Sequence, residues 1–249
     1  MKVLSTEAEV TKTKQALETS LELHGLRHLY PSKEGAQARG LYPFSYRFSQ
    51  GKVYAIKGPN GAGKTTLFKL ISGVLLPQGG EIYLNQEPIT RLPQWKRARK
   101  GLGYLTQGES LVNDMSLFWN LKLALEARDQ WRKGVVKPNF SDEINEALSL
   151  VQLTEQRDQR VDSLSGGERR RAEIARVSLF KPTLLLLDEP FAAIDQGGLK
   201  VMMHLIKQLS SNGSLILLTD HQTRYVDEVC HLSLHLVNGQ LKAQEDTRN

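Results

Sequence analysis

Three stretches predict an α/β fold with a mostly parallel sheet. The apolar runs Leu184–Leu187 and Leu215–Leu218 are uninterrupted, as strands buried on both faces of a parallel sheet require. A helical pattern around Leu199–Leu209 lies between them, and alternation of that kind gives a sheet covered on both sides. The third stretch, Lys52 to Ser72, reads as a short strand, a glycine-rich turn and a helix stopped by Gly73. Together they predict one domain over residues 21–243, with an N-terminal antiparallel β subdomain and an inserted helical subdomain at about 107–165. Residues 1–20 form a polar extension and 244–249 a short tail.

The remaining elements follow in order. Leu21 to Leu26 alternates like a strand, Tyr30 follows, and a turn-rich stretch runs from Pro31 to Gly40. Phe44 to Phe48 is a second strand, closed by a turn at Gln50-Gly51. Gly79-Gly80 is read as a turn into a strand from Glu81 to Asn85. Leu102–Leu105 is a strand that delivers Gln107. Ser116 is placed to cap a helix reaching about Arg128, with Leu117, Leu121, Ala124 and Leu125 as its apolar stripe. Residues 129–140 contain Gly134 and Pro138 and read as a loop. A further helix from Ser141 carries Ile144, Ala147, Leu148 and Val151 at helical spacing.

Bulk properties narrow the function classes. A chain of 249 residues, 40% apolar and 24% charged, is composed like a soluble globular protein. Its longest aliphatic runs fall far short of the ~20 residues a bilayer-spanning helix needs. The start, Met1 to Glu7, has no apolar core or cleavage pattern and does not read as a secretory leader. One cysteine, Cys230, leaves no internal disulfide to form and suits a reducing compartment. Net charge is +6, and its densest cluster, Lys96-Arg97-Ala98-Arg99-Lys100, reads as a solvated face, with contact to a partner or a lipid headgroup as the alternative.

The chemistry is concentrated in three motifs. Gly58-Pro59-Asn60-Gly61-Ala62-Gly63-Lys64-Thr65-Thr66 fits the phosphate-loop pattern G-x-x-x-x-G-K-[ST] at every fixed position, which makes the core that of a P-loop NTPase. Its glycines let backbone N–H groups turn inward around phosphate oxygens, Lys64 reaches the terminal phosphates and the Thr65 hydroxyl suits Mg²⁺. Asp188 ends the four-leucine strand as a candidate Mg²⁺ ligand, and Glu189 follows as the candidate base for an attacking water. Ser165-Gly166-Gly167-Glu168 is a helix capping box, and its glycine pair also leaves the helix N-terminus open to a phosphate.

Phosphate loop, Gln107, Leu164-Ser165-Gly166-Gly167-Glu168, Asp188-Glu189 and His221 occur in an order that resembles the ATP-binding-cassette ATPases over about residues 21–240. The resemblance implies ATP hydrolysis with Mg²⁺. It also implies a second, identical cassette whose serine-glycine signature faces the phosphate loop across two shared ATP molecules. Gln107 becomes an Mg²⁺ contact that senses the γ-phosphate, His221 a γ-phosphate contact and Asp195 an aspartate of the dimer interface. Tyr30 becomes the aromatic that stacks on adenine, with Tyr42 as its competitor. Integral membrane subunits are implied as partners, docked beside Gln107 against Leu111, Val112, Met115, Phe118 and Trp119. The chain would then sit on the cytoplasmic face of the membrane, with no direct nucleic-acid contact.

Two branches are suggested. Gly101-Leu102-Gly103-Tyr104-Leu105, Ser165 to Arg176 and Leu218-Thr219-Asp220-His221 resemble the ATPases of lipopolysaccharide export. Ala193-Ile194-Asp195 and His221-Gln222 resemble the haem-exporter ATPases of cytochrome c maturation. A soluble regulatory or nucleic-acid-associated ATPase of the family is the remaining alternative. The helical block is too short for the coiled coil of the DNA-repair members, and no Asn-Lys-x-Asp guanine motif occurs.

Overall fold

A computed structural model of the protein describes residues 20–31, 39–108, 110–130 and 140–243. All of the expected polar extension except Ser20, which belongs to the first strand, lies outside those residues, as do most of the turn-rich stretch, most of the polar loop and the tail. The described residues open with an antiparallel hairpin of β1 (Ser20–Tyr30) and β2 (Arg39–Ser49). Both strands are longer than the apolar alternation suggests. Tyr30 pairs with Arg39 and Leu29 with Gly40, so Gly40 belongs to the ladder and not to a turn. Main-chain hydrogen bonding carries the strand past the end of the hydrophobic pattern.

β3 (Val53–Lys57) and α1 (Lys64–Ser72) flank the phosphate loop. β4 (Gly79–Leu84) then returns to pair antiparallel with β1, and β5 (Glu87–Pro88) completes a four-stranded sheet in the order β2-β1-β4-β5. The Gly79-Gly80 turn is therefore corrected: both residues are in β4. Gly80 has φ 85°, and a Cβ there would stand 2.3 Å from the Gly25 carbonyl oxygen, so the glycine permits a close pass between strands.

The second sheet has six strands in the order β10-β9-β3-β8-β7-β6. They are β6 (Leu102–Leu105), β7 (Leu184–Asp188), β8 (Leu215–Thr219), β9 (Leu232–Val237) and β10 (Gln240–Ala243), with β3 between β8 and β9. All neighbours are parallel except the β9–β10 pair. The leucines of β7 divide by parity. Leu184 and Leu186 enter a core shared with α1 and the antiparallel sheet, while Leu185 and Leu187 enter one shared with the later helices. An unbroken apolar run thus serves two cores at once.

Those helices are α3 (Leu117–Gln130), α4 (Phe140–Leu150), α5 (Gly166–Ser178), α6 (Gln196–Ser211) and α7 (Thr223–Val229), after a short α2 (Gln94–Arg99). Ser116 accepts the Trp119 N–H at 3.4 Å, and Leu117, Leu121, Ala124 and Leu125 are buried, as the stripe predicts. The basic cluster on α2 is only in part a solvated face. Arg97 is fully buried and donates to the carbonyls of Leu70, Ile71, Thr90 and Leu92 at 2.6–2.8 Å. Burial without an acid brings its guanidinium down to about 10, so it stays charged and caps the C-terminal end of α1.

Candidate functional site

The sheet order lines up the candidate residues. β3, β8, β7 and β6 are successive neighbours, and all four end on the same edge. That edge is where an open parallel sheet offers its ligand crevice. The phosphate loop leaves β3, His221 follows β8, Asp188 and Glu189 close β7, and Gln107 follows β6. They surround a cavity of ≈ 490 Å³ lined by Asn60, Gly61, Gly63, Lys64, Thr65, Thr66, Gln107, Asp188, Glu189 and His221. Tyr30 and Arg39 complete the wall from the hairpin, a contribution that nothing in the motif pattern assigned to Arg39.

The phosphate loop is built to be completed from outside. Gly63 caps α1 at φ 106°, and no side chain caps the helix. The first-turn N–H groups that such an end leaves open suit an anion, and the cavity stands there. The Lys64 ammonium folds back onto the carbonyl oxygens of Gly58 (2.7 Å) and Pro59 (3.1 Å). Partial burial holds it below the usual lysine range, against the opposing pull of Glu189 and Asp188. Tyr30 reaches the same helix, its hydroxyl 3.3 Å from Thr66 Oγ1. Tyr42 is not among the cavity-lining residues and lies against Gly239.

On the facing wall Asp188 is buried. Its Oδ1 accepts from Thr219 Oγ1 at 2.7 Å, and the Tyr104 hydroxyl lies 3.5 Å from Oδ2. Burial, and then the Asp188 charge, pushes the Tyr104 phenol up, so it remains a donor. Glu189 adopts φ 54°, a left-handed backbone uncommon outside glycine, and its Oε1 is 3.2 Å from His221 Nε2. Thr65, Asp188 and Gln107 share this cavity, so a hydroxyl, a carboxylate and an amide oxygen are available to a hard cation. No cluster of three metal-ligating His, Cys, Asp or Glu occurs among the described residues. That donor set fits Mg²⁺, which takes few protein ligands and completes its shell with phosphate and water.

The signature residues are elsewhere in the chain. Ser165 caps α5, Glu168 Oε2 accepts from the Ser165 N–H at 2.9 Å, and the capping box is complete. Gly166 lines a smaller cavity of ≈ 150 Å³ together with Gln107 and Glu189. Asp195 caps α6 by accepting the Gly198 N–H at 2.9 Å. Neither Ser165 nor Asp195 lines the larger cavity of its own chain.

Arg170 and Glu173, which the motif reading passed over, tie these parts together. Buried Arg170 donates to Thr106 O (2.7 Å), Glu189 O (3.0 Å) and Asp188 O, and pairs with Glu173 at 2.9 Å. Glu173 in turn accepts the Ser110 N–H at 2.9 Å. One ion pair on α5 therefore holds the main chain on both sides of Gln107 and at the end of β7. Their i,i+3 spacing was legible, but a charged pair on a helix reads first as surface.

The comparisons agree with this geometry. Residues 41–192 match the family model described as ABC transporter. The chain is 41% identical over 198 residues to the lipopolysaccharide export system ATP-binding protein LptB of Acidithiobacillus ferridurans, covering 79% of this chain and 80% of that one. Against the protein of the same name from Escherichia coli (strain K12) it is 37% identical over 199 residues, covering 80% and 81%. A solved ATP-binding subunit of an ABC transporter superposes with TM-score 0.76 at 25% identity, covering 90% of this chain and 89% of that one. A dimeric, post-hydrolysis ATP-binding cassette bound to ADP and Pi superposes at 0.79 with 21% identity over 92% and 99%, a likeness of fold alone. This chain belongs to the ABC transporter family, as an ATP-binding and ATP-hydrolysing subunit.

Proposed function

We propose that this chain powers lipopolysaccharide export through separate integral membrane subunits, as one of two identical ATPases on the cytoplasmic face. The observation that carries the cargo is the 41% and 37% identity to two proteins of that name over four-fifths of each chain. Among the described residues no helix is long and apolar enough to cross a membrane; in this reading the transport path is formed by other polypeptides. Val112 and Trp119, each 48% exposed, form the outward part of the expected docking wall, whereas Leu111 is buried. Buried Asn120 holds both polar groups of the Val112 backbone and so fixes that side chain outward.

In this reading Tyr30 stacks on adenine, and the phosphate loop and Lys64 take the phosphates. Glu189 orients and polarises the attacking water, and His221 contacts the terminal phosphate. Mg²⁺, held by Thr65, Asp188 and Gln107, would neutralise charge on the phosphate oxygens. Ser165, Gly166 and Gly167 complete the site of the opposite subunit, with Asp195 at that interface. Glu189→Gln keeps shape and loses the base, so ATP binding should persist while phosphate release falls ~10²-fold or more. Normal turnover in that variant removes the mechanism. The cargo is tested by purifying the chain from membranes with its partners and measuring ATP-driven lipopolysaccharide release from vesicles. A complex that binds or moves haem instead overturns it.

A further inference from the structure

His221 stands 3.2 Å from Glu189, yet its side chain is 58% exposed and is not held by packing. The residues on either side of it account for its position. Asp220 Oδ2 accepts the Phe191 N–H at 2.8 Å, and Gln222 Nε2 donates to the Phe191 carbonyl at 2.8 Å. Both main-chain polar groups of Phe191, two residues beyond Glu189, are therefore taken by the two neighbours of His221. The other Asp220 oxygen accepts the Gln222 N–H at 2.8 Å, which closes the turn that displays the histidine.

This clasp continues a seam between two strand ends. Thr219 Oγ1 donates to Asp188 Oδ1, and the Glu189 N–H donates to the Thr219 carbonyl at 2.8 Å. Phe191 is fully buried and its ring lies 6.0 Å from that of Tyr225 on α7, so the clasp is anchored to a packed residue. Glu189, at φ 54°, keeps its left-handed backbone only while the surroundings hold it.

We propose that Asp220 and Gln222 are positioning residues that set His221 against Glu189 for hydrolysis, and that they act through His221. Neither touches the nucleotide cavity. The proposal rests on the reading of Glu189 and His221 as catalytic. Its consequence is a split in kinetics: the clasp governs turnover and leaves ATP affinity alone. A displacement of about 1 Å at a reacting group costs up to ~10²-fold in rate.

The test uses the full-length chain with Asp220→Ala and the near-isosteric Gln222→Glu, each alone and combined with His221→Ala. Phosphate release, fluorescent-nucleotide affinity and thermal midpoint are measured for each. Gln222→Glu puts an acceptor against the Phe191 carbonyl without changing side-chain length, so it separates lost positioning from lost folding. The expected result is a fall in kcat of about tenfold or more, with ATP affinity within about twofold. In the His221→Ala background neither substitution should lower kcat further. Wild-type turnover in Gln222→Glu overturns the proposal, as does the same tenfold loss on top of His221→Ala. If His221→Ala itself hydrolyses ATP at the wild-type rate, the catalytic reading falls and the clasp with it.

Discussion

The N-termini of α1 and α5 both carry glycine, and they are finished differently. That of α1 has a left-handed glycine cap and no side-chain acceptor, and it opens onto the larger cavity. That of α5 is closed on itself by the reciprocal Ser165–Glu168 box. The first is incomplete until an anion arrives. The second is satisfied within its own chain. The opposite end of α1 is finished too, because buried Arg97 donates to the Leu70 and Ile71 carbonyls. The positive end of the α1 dipole therefore meets the cavity, while the Arg97 cation offsets its negative end.

The widest gap between the two termini should appear on removing the α1 cation. Lys64→Ala loses charge-assisted bonds to phosphate, and ATP affinity should fall ~10²-fold or more by fluorescent titration. Unchanged affinity would mean that the open terminus alone carries binding. Next comes the far end of α1. Arg97→Met removes the side-chain donors from four carbonyls, of which Leu70 keeps only the Gly73 N–H, and should cost about 3 kcal/mol or more in urea unfolding, with Arg97→Lys recovering only part. A midpoint indifferent to Arg97→Met would remove the capping role.

Ser165→Ala should cost only about 1 kcal/mol, a shift of roughly 2–4 °C in melting temperature. Nucleotide affinity of the isolated chain should not move, and any change there would show that the two termini are not independent. The smallest effect is a pH dependence of the same cap. The Ser165 hydroxyl, and then its N–H, hold the Glu168 carboxyl below the usual range. A lowered folded pKa gives a contribution present above about pH 4.3 and lost as pH falls through the folded value. Glu168→Gln should flatten that acid limb of the melting curve, and an identical limb in the variant would assign it to other carboxylates.

Contiguous features were readable in the chain. The phosphate loop, the leucine run of β7 and the capping box each lie within nine residues or fewer, and their local geometry follows from residue type. What escaped depends on pairing across distance. Arg97 sits among five residues that look solvated, and only the fold brings the end of α1 to it. Arg170 meets Thr106, and Asp220 meets Phe191, across gaps that no spacing rule spans. Gly79-Gly80 looked like a turn because glycine pairs usually are. Here both lie in β4, and Gly80 permits a close pass against β1.

The place of β3 in its sheet has a consequence for the protein's synthesis. Val53 pairs with Ile216, and Tyr54 with Leu232, so both neighbours of the phosphate-loop strand are made long after it. At about 5–20 residues per second, β3 waits on the order of ten to thirty seconds on the ribosome for its first partner. During that interval Val53, Tyr54, Ala55 and Ile56, all buried in the finished fold, have no sheet to enter. The antiparallel hairpin and β4 can form early and shelter the neighbouring α1, but the ATP site itself waits for β8 and β9.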